Sequence, residues 1–266
     1  MSESTPDDIP DEIVGPQRTL LQMFKFFVEP ELKRRQMNEA LLDPLAAVKA
    51  AQILYFEGRP PEVRLDKEIT FSVRATLPRA FQDDEPVSLS EIGPHNIHGT
   101  ELDIADADAA HFTVVRLNDG NWAMFFDFRR NRLKAANLIE LAEQFCMIAE
   151  HALAQQYFGP SIENLFSACE LAAKARLITS AAMSSDVKTH GTIHSSINQW
   201  GRLGNVDQEF VEMFNKLSGN REAARYTNDK RDLSGLITTD MIGKARAEIN
   251  ELKTNLKRYS DSPGVR

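Results

Sequence analysis

The chain has 266 residues, 42% of them hydrophobic and 26% charged, which is the composition of a globular protein with one large or two ordinary domains. No apolar run approaches the roughly 18 residues that a membrane-spanning helix needs. The acidic N-terminus also lacks the basic and apolar pattern of a signal peptide. We therefore expect a cytoplasmic protein that does not enter the membrane.

The formal net charge of −8 is unevenly distributed along the chain. Residues 1–130 contain 14 basic and 23 acidic side chains, whereas residues 131–266 contain 17 basic and 16 acidic ones. The front half would repel nucleic acid at long range, and the back half would not. This asymmetry predicts a protein of two parts, and we place the boundary between residues 131 and 132.

The first part is expected to be an acidic tail followed by N-terminal helices. Residues 1–16 contain three prolines and few large apolar side chains, so we predict a disordered segment. Residues 19–28 are strongly apolar, which favours a helix that ends at Pro30 and packs on a domain or binds a partner. Residues 41–56 have apolar side chains at helical spacing, which predicts a second helix.

After these helices the period of the sequence becomes that of a strand. Residues 69–77 alternate apolar and polar side chains, which predicts a strand with one buried face. Residues 87–92 are a candidate for a second strand. Residues 93–108 are predicted to be mostly loop.

A hairpin is predicted at the end of the first part. Two β-prone runs, residues 112–117 and 122–128, flank the sequence Asn-Asp-Gly-Asn, and Asp-Gly is a strong signal for a hairpin turn. The second run is apolar at alternate positions on both sides, so we expect it to be buried on both faces. Residues 17–131 are thus expected to form a mixed domain of helices and a small, mostly antiparallel sheet.

From residue 133 the apolar period is 3.6 again, which predicts helices throughout residues 132–266. The third of these helices is expected at about residues 187–200, the fourth is interrupted at Ser218-Gly219, and the last reaches Tyr259. Cys146 and Cys169 are interpreted as buried small hydrophobic residues. The first helix has an apolar stripe formed by Leu138, Leu141, Ala142, Phe145, Ile148, Ala149 and Ala152.

The predicted fold class is α+β: a small, mostly antiparallel β domain followed by an up-and-down α-helical bundle.

Two groups of side chains in the helical half are candidates for binding chemistry. His190 and His194 are four residues apart and share a helix face, which suits zinc only if further ligands arrive from elsewhere. Arg221 and Arg225 also share a face, and such a pair can bind a phosphate while the adjacent Tyr226 stacks on a base. The alternatives are polar contacts at a helix interface for the histidines and interhelical ion pairs for the arginines.

Motifs for cofactor chemistry are absent from the sequence. It contains no GxGxxG or Walker phosphate loop and no GxSxG nucleophile elbow. We therefore predict neither a cofactor nor a metal, and we find no motif for reading DNA sequence.

Three segments of the helical half resemble a known family. They are the alanine-rich run of residues 164–178, the sequence Lys188-Thr-His190, and the closing run Arg221-Glu-Ala-Ala-Arg-Tyr226. Together they resemble the HEPN domain, the nucleotide-binding helical domain shared by higher eukaryotes and prokaryotes. The resemblance covers residues 133–259, about half of the chain, and implies an up-and-down bundle that often forms homodimers.

The resemblance also bears on catalysis. Many members of that family are metal-independent ribonucleases in which an arginine is followed, after four to six residues, by a histidine. None of the six histidines here has an arginine five to seven positions before it. The resemblance therefore implies a non-catalytic member that binds a nucleotide, RNA or a protein partner.

The candidate binding residues of that member are Lys188, His190, His194, Arg221, Arg225 and Tyr226. Two alternatives stay open. One is a divergent metal-independent ribonuclease, of a toxin or defence type, whose arginine is brought to His190 or His194 by folding. The other is a structural assembly subunit.

Overall fold

A computed structural model describes residues 15–37, 43–82, 85–226 and 232–258. The acidic tail predicted for residues 1–16 lies almost wholly outside the described residues, and so does the predicted helix end at Tyr259. The described chain divides into two compact units, the first ending at Phe128 and the second beginning at Arg129. Each unit has a hydrophobic core of its own.

The described residues of the first unit form short helices and two antiparallel sheets, followed along the chain by helices, so the predicted α+β class is confirmed. The helices are α1 (Pro16–Met23), α2 (Glu29–Arg34), α3 (Pro44–Ala47) and α4 (Leu89–Ile92). The strands are β1 (Ala50–Tyr55), β2 (Glu62–Leu65), β3 (Phe71–Ala75), β4 (Ile97–Leu102), β5 (Ala110–Arg116) and β6 (Trp122–Asp127). One sheet has the order β2-β1-β5-β6, and β3 pairs with β4 in the other.

The four-stranded sheet is covered on both faces. On one face lies the N-terminal helical segment, in which α1 continues through a π-helical turn at Phe24–Val28 into α2. The expected helix end at Pro30 is wrong, because Pro30 lies in the first turn of α2, where its missing N–H is tolerated. On the other face, Phe125 of β6 packs with Ile97 of the second sheet.

The helix predicted for residues 41–56 is wrong in its longer part. Among the described residues of this range, 43–56, only the four residues of α3 are helical, and Ala50–Tyr55 forms strand β1 between β2 and β5. Ile53 packs toward the helical segment while Leu54 packs on the opposite side. A strand that is buried on both faces has no polar side to mark its period of two, so its apolar spacing was mistaken for a helix.

Two further predictions in the first unit are wrong. Residues 87–92 contain no strand, because Ser88 and Glu91 form a capping box that begins the short helix α4. Residues 93–108 are not mostly loop, since they contain strand β4. The strand predicted at residues 69–77 is confirmed as β3.

The predicted hairpin is confirmed by the pairing of β5 with β6. Gly120 lies in the turn with φ 85°, a conformation that glycine adopts without strain. The expected burial of the last strand on both faces is wrong. Ala123 and Phe125 are buried, but Phe126 and Phe128 are 56% and 63% exposed, because β6 is at the edge of its sheet.

The second unit is a set of five helices within the described residues. They are α5 (Arg132–Ala154), α6 (Phe158–Thr179), α7 (His190–Arg202), α8 (Gln208–Arg225) and α9 (Thr239–Arg258). Helix α6 is the central one: it packs with α5, α7, α8 and α9, and most of its apolar residues are fully buried. Among the described helices, none is both long enough and apolar enough to cross a membrane.

The buried face of α5 differs from the predicted stripe. Leu141 and Ile148 are exposed, and the buried residues are mostly small: Ala135, Ile139, Ala142, Cys146, Ala149 and Ala152. Small side chains let α5 and α6 approach closely, so close packing outweighs the burial of a few larger side chains. Helix α8 continues through Ser218-Gly219 without the predicted break. Both cysteines are buried as predicted, and burial raises the pKa of the Cys169 thiol.

Candidate functional site

The candidate site of the second unit is arranged around one face of α6. Glu163, Phe166 and Glu170 follow one another at helical spacing and therefore lie on the same side of the helix. None of these three residues was predicted as part of a site. The signal that could have identified them is the sequence of acidic, aromatic and acidic side chains at steps of three and four.

The two predicted arginines meet on Glu163. The Nε atom of Arg221 donates to Oε1 of Glu163 at 3.3 Å, and the Nε atom of Arg225 donates to Oε2 at 2.7 Å. Arg221 also places its guanidinium carbon 4.1 Å from the centre of the Phe166 ring, a cation–π contact. The interhelical ion pairs that the sequence offered as an alternative are therefore present.

The predicted histidines lie against the same aromatic group. Nδ1 of His190 is hydrogen-bonded to the carboxylate of Glu170, and the His190 ring is 6.4 Å from the Phe166 ring. The ring of His194 is 5.4 Å from that of Phe214 on α8. The rings of Phe214 and Phe166 are stacked at 5.2 Å, so both histidines and Arg221 border one aromatic core.

A reciprocal amide pair holds α7 against α8 beside this core. The side-chain amide of Asn198 donates to Oδ1 of Asn215 at 3.0 Å, and Asn215 donates to Oδ1 of Asn198 at 2.8 Å. Asn198 also bonds the backbone oxygen of His194 at 2.7 Å. These bonds fix how the histidine face of α7 is oriented toward α8.

Close backbone contact brings the end of α8 to the start of α6. A Cβ atom at Gly159 would lie 2.8 Å from the carbonyl oxygen of Ala224, closer than any ordinary contact. Glu163 is one helical turn after Gly159, and Arg225 directly follows Ala224. The glycine therefore permits the approach that places Glu163 within reach of Arg225.

The polar groups of the cluster are partly accessible to solvent. The side chains of Arg225 and His190 are 49% and 64% exposed, whereas those of Arg221 and Glu163 are 18% and 19% exposed. Phe166 is buried. The arrangement offers guanidinium and imidazole groups at the surface with an aromatic ring beneath, which suits an anionic ligand rather than an apolar one.

Two of the six predicted residues are not drawn into the cluster. Lys188 and Tyr226 are exposed, the first just before α7 and the second just after α8. Within the described residues, neither side chain takes part in the contacts around Phe166. In the same part of the chain, no three histidine, cysteine or acidic residues are grouped as metal ligands.

A further basic residue of α6, Arg176, forms ion pairs with α9 and not with α7 or α8. Arg176 bonds Glu248 at 2.8 Å and Glu251 at 3.0 Å, both on α9. Burial raises the pKa of Glu248, and the nearby guanidinium group only partly opposes this effect. Arg176 is the nearest arginine before His190 in sequence, and its contacts link α6 to α9 instead of reaching the histidines.

Comparison with known proteins adds no identification: no family model matches the chain, and no curated protein matches it.

Proposed function

We propose that the helical unit binds the phosphate group of a nucleotide or of RNA at the cluster around Phe166. In this proposal the chain is a cytoplasmic homodimer whose second unit is a non-catalytic HEPN-like domain and whose first unit contacts a protein partner. The supporting observation is that Arg221 and Arg225 lie close enough for one carboxylate to contact both. Guanidinium groups bind carboxylate and phosphate oxygens through the same planar set of N–H donors.

The surroundings of the arginines are compatible with such a ligand. Arg225 is half exposed, and the adjacent Tyr226 is 62% exposed, where its ring can stack on a base. Residues 131–266 are close to electrically neutral, so this half of the chain does not repel a phosphate at long range.

Titration of the full chain with ATP and with a short, fluorescently labelled single-stranded RNA at low salt tests this proposal. Replacing Arg221 and Arg225 together by Ala should weaken binding by about tenfold or more, because two charge-assisted contacts are lost. The control replaces Arg202 and Arg246 together by Ala, which removes the same charge from exposed positions elsewhere in the unit. Equal binding by the two double variants would contradict the proposed phosphate site. The proposed dimer is tested separately, by analytical sedimentation of the full chain.

One observation favours a second candidate function, that of a divergent metal-independent ribonuclease. The sequence lacks the family's arginine–histidine spacing, yet folding places Arg221 and His190 against the same ring of Phe166. The carboxylate of Glu170 bonds Nδ1 of His190, which is how an imidazole is oriented for acid–base chemistry. Cleavage of total RNA that is lost in His190→Ala would support this function, and activity that survives both His190→Ala and His194→Ala would exclude it.

A further inference from the structure

We propose that Glu163 is an internal competitor for the phosphate site, so that a ligand must displace its carboxylate from Arg221 and Arg225. This inference rests on the proposed phosphate site and concerns how that site is regulated. It assigns to α6 a role beyond holding the arginines in place.

The geometry of the contact is that of a bridging anion. Oε1 of Glu163 accepts from Arg221, and Oε2 accepts from Arg225, so each carboxylate oxygen is taken by a different guanidinium group. An anion that contacts both arginines at once would take the place that this carboxylate holds. While Glu163 occupies it, one of the two positive charges is also cancelled.

The contact is weak enough to be exchanged. Arg225 is half exposed, and the distance of 3.3 Å from Arg221 to Glu163 is long for a charge-assisted hydrogen bond. The ion pair of Glu163 with the half-exposed Arg225 is of the solvent-accessible kind that contributes little to stability. A terminal phosphate group, such as that of ATP, has more acceptor oxygens than a carboxylate and can have a greater charge, so it competes well for two guanidinium groups.

The site would keep its shape after the exchange. The guanidinium group of Arg221 lies over the Phe166 ring at 4.1 Å, and this cation–π contact does not depend on Glu163. The rings of Phe166 and Phe214 are stacked, which fixes the position of the ring itself. Displacement of Glu163 therefore frees donors on Arg221 without releasing its side chain.

Helix α6 covers the neighbouring imidazole group in the same way. Glu170, seven residues after Glu163, bonds the imidazole of His190. Two acidic residues on one face of α6 thus engage basic residues of both neighbouring helices: Glu163 on α8 and Glu170 on α7. This repetition is the arrangement expected if α6 masks the basic side of the cluster until a stronger anion arrives.

The test compares Glu163→Gln with wild type and with Glu140→Gln, titrating each full-length protein with ATP and with the labelled single-stranded RNA at low salt. Glu140 is an exposed residue of α5, so its substitution makes the same change in net charge outside the cluster. Glu163→Gln should bind about fivefold more tightly than wild type, the upper range for release of an ion pair such as that of Glu163 with the half-exposed Arg225, and Glu140→Gln should bind as wild type does. Circular dichroism verifies that each variant is folded.

The outcomes separate this inference from the proposed function. Tighter binding by Glu163→Gln alone supports the competitor role. Unchanged or weaker binding by a folded Glu163→Gln overturns it and leaves Glu163 as a residue that positions the arginines. If the Arg221→Ala and Arg225→Ala double variant binds as wild type does, the phosphate site itself is wrong. If neither the wild type nor any of the variants binds either probe, both proposals fail.

Discussion

The close approach of α6 and α8 at Gly159 can be tested by adding a single methyl group. In Gly159→Ala the new Cβ atom would lie 2.8 Å from the carbonyl oxygen of Ala224, whereas an ordinary contact begins at 3.4 Å. The obstacle is backbone, so the two helices must separate. Overpacking of this kind costs about 1–3 kcal/mol, and the gain in helix propensity returns roughly 0.5–1 kcal/mol. We expect a net loss of about 1 kcal/mol, and at most about 2.5 kcal/mol, in the free energy of unfolding.

Urea denaturation followed by far-ultraviolet circular dichroism measures this loss, and hydrogen exchange of the α6 and α8 amides assigns it to the second unit. The matched control is Gly219→Ala in α8, where a Cβ atom meets nothing within 4 Å. That variant should be slightly more stable than wild type, because alanine is the better helix former. If Gly159→Ala is as stable as Gly219→Ala, the backbone contact is not as close as described, and the reasoning about Glu163 and Arg225 loses its basis.

Two further predictions concern the first unit. Hydrogen bonding to Arg34 is the largest effect on the pKa of Glu31. Together with Arg35, and against the opposing effect of burial, it lowers that pKa from 4.5 to about 2. Because the pKa of Glu31 is lower in the folded state, the ionised carboxylate stabilises the fold. This stabilisation is complete above about pH 4.5 and is lost as the pH falls toward 2. Glu31→Gln should therefore lower the free energy of unfolding by roughly 1 kcal/mol at neutral pH and flatten its decline over that pH range; an unchanged acid titration would contradict this. In β6, Phe125→Ala should cost about 3–5 kcal/mol and Phe126→Ala less than about 1 kcal/mol, since the first ring is fully buried and the second is 56% exposed. Equal urea midpoints for these two variants would contradict the assignment of the buried face.

Local patterns in the sequence were sufficient wherever one face of an element is polar or a turn has a specific chemistry. The hairpin of β5 and β6 was predicted because Asp119-Gly120 favours a tight turn between two β-prone runs. Strand β3 was predicted because its side chains alternate. The last helix, α9, was predicted from its apolar period of 3.6, and Ile242, Ala245, Ile249 and Leu252 are buried in the core.

Elements with two buried faces could not be identified in this way. Strand β1 is apolar on both sides because it lies between two other strands and two covering layers, and its neighbours come from residues far away in sequence. The buried face of α5 was predicted only in part, for a related reason: Ala142, Ala149 and Ala152 are buried as predicted, whereas Leu141 and Ile148 are exposed. Which residues are buried depended on how closely α6 could approach, and small side chains permit the closest approach.

The candidate site shows the same division between sequence and tertiary structure. Helical spacing alone indicated that Arg221 and Arg225 share a face and that His190 and His194 share another. Only the packing of α7 and α8 on α6 brought Arg221 and His190 to the ring of Phe166. The same packing placed Glu163 on both arginines and Glu170 on His190. Neither Glu163 nor Phe166 was assigned in advance, because their spacing on α6 indicates only a shared face and their roles arise from partners that are distant in sequence.

The sequence by itself thus determined the division into a sheet-containing half and a helical half, and the residue types available for binding an anion. The tertiary structure decided which of those residues meet. The physical reason is that periodicity specifies the face of an element, whereas contacts between faces depend on the packing of side chains from several elements at once. Arg225 illustrates this: its charge is evident from the sequence, but its pairing with Glu163 requires α8 to approach α6 at a glycine.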